Sequence, residues 1–100
     1  MRPVRLRYTT DALAHLEAIN DFLSERNPAA ARRIAADIQA AAQRLCEFPY
    51  IGRRSDAPGA HQWVVQRSPY LIIYEVDEAQ GEIIVLGVFH GAQDWQSELK

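Results

Sequence analysis

The side chains best suited to proton or phosphate chemistry in this sequence are His90, Tyr70, Arg67 and the adjacent pair Arg53 and Arg54. Histidine gives or takes a proton near neutrality, and arginine forks hold phosphate oxygens two at a time. Together these are the residue types that phosphodiester cleavage or capture of an acidic partner requires. Among His15, His61 and His90, only His90 closes a long apolar run, immediately before Gly91. The pattern is otherwise sparse. There is no Gly-rich phosphate loop, no nucleophile elbow around Ser24, Ser55, Ser68 or Ser97, and no carboxylate pair with a reason to share a proton. Cys46, the single cysteine, sits in a helical pattern and reads as a small buried hydrophobe. With no second cysteine and no clustered histidines there is no metal-ligand spacing, and neither a metal nor a cofactor is expected.

The elements that must position these residues centre on Gln62 to Gly91, the densest apolar stretch of the chain. Tyr70 to Val76 and Glu82 to Phe89 are rich in β-branched and aromatic residues and are separated by the polar turn Asp77-Glu78-Ala79-Gln80-Gly81, which predicts a hairpin. His61 to Gln66 predicts a strand before it, and Arg67-Ser68-Pro69 breaks the run. Neither hairpin strand alternates apolar with polar. Tyr70, Ile72, Tyr74 and Val76 oppose Leu71 and Ile73; Ile83, Val85 and Phe89 oppose Ile84, Leu86 and Val88. Two apolar sides require cover on both faces of the sheet. Burying one Ile or Leu is worth roughly 1.5 to 3 kcal/mol, and a whole domain is stable by only about 5 to 15, so leaving several of them wet would be costly.

The first face is covered from the N-terminal half. Val4, Leu6 and Tyr8 alternate with Arg5 and Arg7 as a short edge strand. Thr9, Thr10 and Asp11 are candidate caps for a helix whose stripe is Leu13, Leu16, Ile19 and Leu23, with Glu17, Asp21 and Glu25 on its solvated side. Asn27-Pro28 stops that helix and starts a second, with the stripe Ile34, Ile38, Leu45 and Phe48 ending at Pro49. Pro49 to Gly59 reads as a loop, and Ala92 to Leu99, with Trp95, as a short helical tail. The fold class is α+β: an N-terminal helical hairpin on one face of a small, mostly antiparallel sheet, in the order β-α-α-β-β-β. The second face awaits cover from elsewhere in the chain or from a partner.

A chain of 100 residues with 48% apolar and 24% charged residues suits one globular domain. The net charge of −2 argues against non-specific nucleic-acid binding as the main activity, although ten of the eleven basic residues are arginines. Arginine is favoured at interfaces, in ion pairs and on phosphates. The start MRPVRLRYTTDA lacks the apolar stretch of a signal peptide, and no apolar run could cross a bilayer. With one unpaired cysteine, a cytoplasmic protein is expected.

In their order and spacing, ALAHLEAINDFL, NPAAARRI, LCEFPYIGRR, SPYLIIYEV and IIVLGVFHGAQDW resemble the RelE/ParE toxin superfamily of bacterial type II toxin-antitoxin modules, often described as plasmid-stabilisation proteins. The resemblance spans almost the whole chain and implies a single toxin domain over residues 1–100, held inactive by an antitoxin that wraps its helices and sheet. Oligomers with the antitoxin are expected, and direct sequence-specific nucleic-acid binding is not. The apolar positions assigned to the antitoxin are Leu13, Leu16, Ile34, Ile38, Leu71, Ile73, Leu86 and Val88. The RelE-like branch implies a ribosome-dependent messenger RNA endonuclease, for which His90, Arg67, Tyr70, Arg53 and Arg54 would be the working residues. The ParE-like branch implies a DNA gyrase poison with no catalytic residues of its own. In nucleases with a terminal His-Tyr pair the resemblance places an arginine where this chain has Leu71, and a tyrosine where it has Gly91. Leucine cannot bind a phosphate, which favours the ParE-like branch over the nuclease; an inactive relic that only binds its antitoxin is the remaining alternative.

Overall fold

The computed structural model describes residues 4–91. The elements are β1 (Arg5–Tyr8), α1 (Thr10–Arg26), α2 (Pro28–Glu47), β2 (Arg53–Arg54), β3 (His61–Val64), β4 (Tyr70–Asp77) and β5 (Glu82–His90). The tail expected over residues 92–99, including Trp95, lies outside the described residues.

Local chemistry sets the helix boundaries. Thr9 Oγ1 accepts the Ala12 N–H at 3.1 Å and donates to the Leu86 carbonyl at 3.2 Å, so one hydroxyl caps α1 and fastens it to β5. Asn27 serves both helices: its N–H donates to the Leu23 carbonyl and its Oδ1 accepts from Ala30 N at 3.1 Å, with Pro28 in the first position of α2.

The sheet order is β1-β5-β4-β3-β2. The β3-β4-β5 meander is antiparallel, as expected, whereas β1 joins its edge parallel to β5, with Leu6 opposite Ile83 and Tyr8 opposite Val85. Two local expectations are corrected. The segment from Pro49 to Gly59 is not all loop, because Arg53 and Arg54 pair antiparallel with Gln62 and His61 as β2. The third strand ends at Val64 rather than Gln66: Val65 N–H turns to donate to the Tyr70 carbonyl at 2.9 Å, and Arg67 takes a positive φ of 62° in the following turn.

The helices cover the face that carries Tyr70, Ile72, Tyr74 and Ile83, and Ala12, Ile34, Ile38, Ala42 and Leu45 complete that core. On the other face, Leu71, Ile73 and Phe89 form a second buried cluster with Ala60, and Ala57 and Leu86 pack at its margin. Part of the cover that the second face requires thus comes from elsewhere in the chain, the 55–60 loop, closed by Ser55 N–H to the Ala60 carbonyl at 3.0 Å. The register of β5 slips at Leu86, which is inserted between Val85, opposite Tyr74, and Gly87, opposite Ile73. This bulge reverses the later alternation. Val88, expected on the second face with Leu86, lies in the core beneath the helices, and Phe89 takes the second face instead.

β1 ends at Tyr8, leaving the later half of β5 without a strand on that side, and α1 takes over there. His15 Nδ1 accepts the Val88 N–H at 3.3 Å while its ring lies 4.6 Å from that of Phe89. Gly87 makes this possible, since a Cβ there would fall 2.4 Å from the Phe89 ring and 3.1 Å from His15 Cε1.

Candidate functional site

A groove of about 590 Å³ runs between α1, α2 and β1. Its walls are apolar, from Leu16, Ile19, Ile34 and Ile38 on the helices and Leu6 and Tyr8 on β1, and Glu17, Asn20, Gln39 and Gln43 rim it. The fold builds it directly: Leu6 and Tyr8 point to the helix side of an edge strand, and α1 buries only Ala12 completely, so its inner stripe stands partly clear of α2. Burial raises the Tyr8 phenol above its ordinary value, with a smaller contribution from the nearby Cys46 thiol. Burial, followed by the Glu47 carboxylate, raises Cys46 in turn. Both groups are therefore neutral near pH 7, which suits a surface that receives apolar side chains within a polar rim.

Of the residues assigned to an antitoxin, Leu16, Ile34 and Ile38 line this groove, although Ile34 and Ile38 are largely taken up by the core at 4% and 3% exposure. Leu13 stands outside on α1 and is 55% exposed. Leu71 and Ile73 are buried in the second cluster, with Leu86 half-buried beside them, and Val88 is enclosed under the helices. Leu6, Tyr8 and Ile19 complete the groove without having been among the expected residues. The alternation of Leu6 with Tyr8 was the available signal.

The residues suited to phosphate chemistry come together only in part. Tyr70 and His90 are direct partners across β4 and β5, with rings 5.8 Å apart and edge-on. Arg67 lies in the turn before Tyr70. Arg53 and Arg54 are on β2, three strand spacings from β5, or about 14 Å across the sheet. With the Gln62 amide turned so that its oxygen faces the guanidinium, that oxygen accepts from Arg53 Nε and Nη2 at 3.1 and 3.0 Å and holds the side chain there.

A tyrosine-histidine cluster that sequence reasoning passed over fixes the β2 segment. Tyr74 donates to the Pro49 carbonyl at 2.8 Å and accepts the Gly52 N–H at 3.1 Å. Gly52 must be glycine for this contact, because a Cβ would sit 2.5 Å from the Gln62 carbonyl oxygen and 2.7 Å from the Tyr74 hydroxyl. Burial raises the Tyr74 phenol, and the Gly52 N–H partly offsets that rise. His61 stacks on Tyr74 at 5.4 Å and meets the edge of Tyr50 at 5.7 Å, while the Tyr50 hydroxyl donates to Glu78 at 2.9 Å. That hydrogen bond is the main reason the Tyr50 phenol is raised. The cluster is a structural brace, with its hydroxyls already engaged.

Residues 6–95 match the family model described as ParE toxin of type II toxin-antitoxin system, parDE. The chain is 37% identical to toxin RelE2 of Caulobacter vibrioides over 86 residues, covering 86% of this chain and 93% of that protein. In structure it is similar to a chain of the chromosomal ParDE toxin-antitoxin system of P. aeruginosa, with a TM-score of 0.79, 26% identity, and coverage of 88% of this chain and 96% of that one. It is also similar to a chain of the RelBE2 toxin-antitoxin complex of Mycobacterium tuberculosis, with a TM-score of 0.62, 25% identity, and coverage of 89% and 99%. The two-helix hairpin on an open five-stranded sheet and the match over nearly the whole chain agree, and the chain belongs to the ParE toxin family of type II toxin-antitoxin systems.

Proposed function

We propose that the chain is a cytoplasmic ParE-like toxin that arrests growth by binding and poisoning DNA gyrase, without catalytic residues of its own, and that a cognate antitoxin neutralises it. The observation that carries this reading is the setting of Leu71. It is 8% exposed and packs with Ile73, Phe89 and Ala60 in an apolar cluster. A nuclease of the superfamily would need a cation there to steady the developing phosphate charge. The separation of Arg53 and Arg54 from His90 supports the same reading.

The antitoxin contacts are assigned to the accessible apolar residues: Leu13 on the outer side of α1, Leu16 and its neighbours in the groove, and Leu86 at the margin of the second cluster. Relatives of similar fold come from ParDE and RelBE2 toxin-antitoxin systems, which supports such a partner. The alternative, a ribosome-dependent endoribonuclease, draws on the identity to toxin RelE2.

One experiment separates the readings. The chain is induced in a bacterium while chromosomal DNA breakage and messenger RNA integrity are followed together. Double-strand breaks with intact messages are expected. Early cleavage of ribosome-bound messages without breaks would establish the nuclease, and normal growth with retained antitoxin binding would leave an inactive relic.

A further inference from the structure

β1 is the outermost strand of the sheet, so one of its edges meets β5 and the other is open. Arg5 N–H donates to the Gly81 carbonyl at 2.8 Å and Thr9 N–H to the Val85 carbonyl at 3.0 Å, which sets the odd-numbered residues on the β5 side. Successive residues of a strand turn their backbone groups to opposite edges, and in a parallel pair the N–H and C=O of one residue share an edge. Both groups of Leu6 and both of Tyr8 therefore face outward, without a backbone partner among the described residues.

The two side-chain rows of β1 differ. Leu6 and Tyr8 turn to the helix side and line the apolar groove with Leu16, Ile34 and Ile38. Arg5 and Arg7 turn to the other side, with side chains 72% and 53% exposed, and share the Glu82 carboxylate at 3.7 and 3.5 Å. Two guanidiniums against one carboxylate leave a charge of +1 along this edge.

These features select an occupant. A helix satisfies its own backbone and would leave Leu6 and Tyr8 unpaired, whereas an extended segment laid about 4.8 Å outside β1 completes the ladder. A second copy of this chain, pairing through the same edge, would set Arg5 and Arg7 against their counterparts, and like charges directly opposite are destabilising. An acidic strand has neither fault.

We propose that the antitoxin segment entering the groove is extended where it passes β1, and that it adds a sixth strand in which apolar and acidic residues alternate. Its apolar side chains drop into the groove beside Leu6 and Tyr8, and its carboxylates reach Arg5 and Arg7 on the opposite face. The inference rests on the antitoxin reading above and adds to it the conformation, the alternation and the charge of the bound segment.

The probe is a synthetic peptide of alternating valine and glutamate, blocked at both ends, with a companion carrying lysine in place of glutamate. Each is titrated into the full chain while the backbone amides are followed by NMR. The acidic peptide is expected to shift the Leu6 and Tyr8 amides, to protect them from exchange, and to bind at least about tenfold tighter than the lysine peptide. Arg5→Gln combined with Arg7→Gln should abolish that preference, Glu82→Gln should widen it, and the full-length antitoxin should displace the peptide.

Equal binding of the two peptides would overturn the proposal, as would an unaltered preference in a double variant that remains folded by circular dichroism. Protection of Leu6 and Tyr8 in the peptide-free chain would also overturn it: protection that grows with concentration gives the edge to a second copy, and protection that does not gives it to the chain itself. An antitoxin that binds but leaves both amides exchanging as in the free chain would sink this inference and keep the antitoxin reading. An antitoxin that does not bind at all would sink both.

Discussion

The His15 imidazole accepts the Val88 backbone N–H at 3.3 Å, so a helix side chain does for β5 what a neighbouring strand does elsewhere. Acceptance at Nδ1 leaves the ring proton on Nε2. His15→Leu keeps the packing against Phe89 but strands the Val88 N–H, and should cost about 1 to 3 kcal/mol. Denaturant unfolding measures the loss, and amide exchange should show the largest drop in protection at Val88. Unchanged protection there would mean that water replaces the imidazole without penalty.

Tyr74 ties both ends of the Pro49–Gly52 segment to the sheet. Tyr74→Phe leaves the Pro49 carbonyl and the Gly52 N–H unpaired and is expected to destabilise the chain by about 1 to 3 kcal/mol. The phenols of Tyr74 and Tyr8 are both raised from 10.0, mainly by burial. The unfolded chain then releases these protons first, so the stability from both groups is complete below pH 10.0 and is lost as pH rises above it. Unfolding curves between pH 8 and 11 should show that decline, and it should be shallower in Tyr74→Phe and Tyr8→Phe.

Leu13 and Leu71 separate binding from folding. Leu13 is 55% exposed, so Leu13→Glu should alter stability by less than about 0.5 kcal/mol, while antitoxin affinity falls about tenfold or more. Leu71→Glu places a charge in an apolar cluster and should cost more than about 3 kcal/mol, with loss of soluble chain. Thermal melts and antitoxin titrations check both variants. An unchanged affinity in Leu13→Glu would move the interface off the outer side of α1.

His90 is exposed at the end of β5, with its ring edge-on to Tyr70. His90→Gln keeps hydrogen-bonding capacity but cannot shuttle a proton near neutrality. Toxicity and DNA breakage should persist at near wild-type levels. Removal of a general acid or base would instead lower the rate by about 10² to 10⁴. Loss of toxicity in a folded, antitoxin-binding His90→Gln chain, with message cleavage by the unmodified chain, would return His90 to a catalytic role.

The helix limits were legible because they are written locally, by a Thr9 cap, an Asn27-Pro28 junction and a Pro49 stop. Pairing between distant segments was not. Arg53 and Arg54 form a two-residue strand with no period of its own, visible only once β3 lies beside it. The exchange of faces by Val88 and Phe89 follows from one inserted residue, Leu86, which a strict alternation count cannot register. Leu16, Ile34 and Ile38 pointed to the groove, but its floor at Leu6 and Tyr8 depended on the partner of β1. Arg33 meets Asp37 at 3.5 Å and holds the Arg67 carbonyl at 3.3 Å, joining α2 to a turn 34 residues further along, and leaves no motif.

The parallel pairing of β1 with β5 also bears on synthesis. Leu6 meets Ile83, a residue 77 positions later, so the first strand of the sheet waits for the last. At roughly 5 to 20 residues per second, about 4 to 15 seconds pass between the two. During that interval the helical hairpin has no β5 to cover, and the groove has no fixed floor. A nascent chain stalled before Glu82 therefore cannot assemble the groove proposed here to receive the antitoxin.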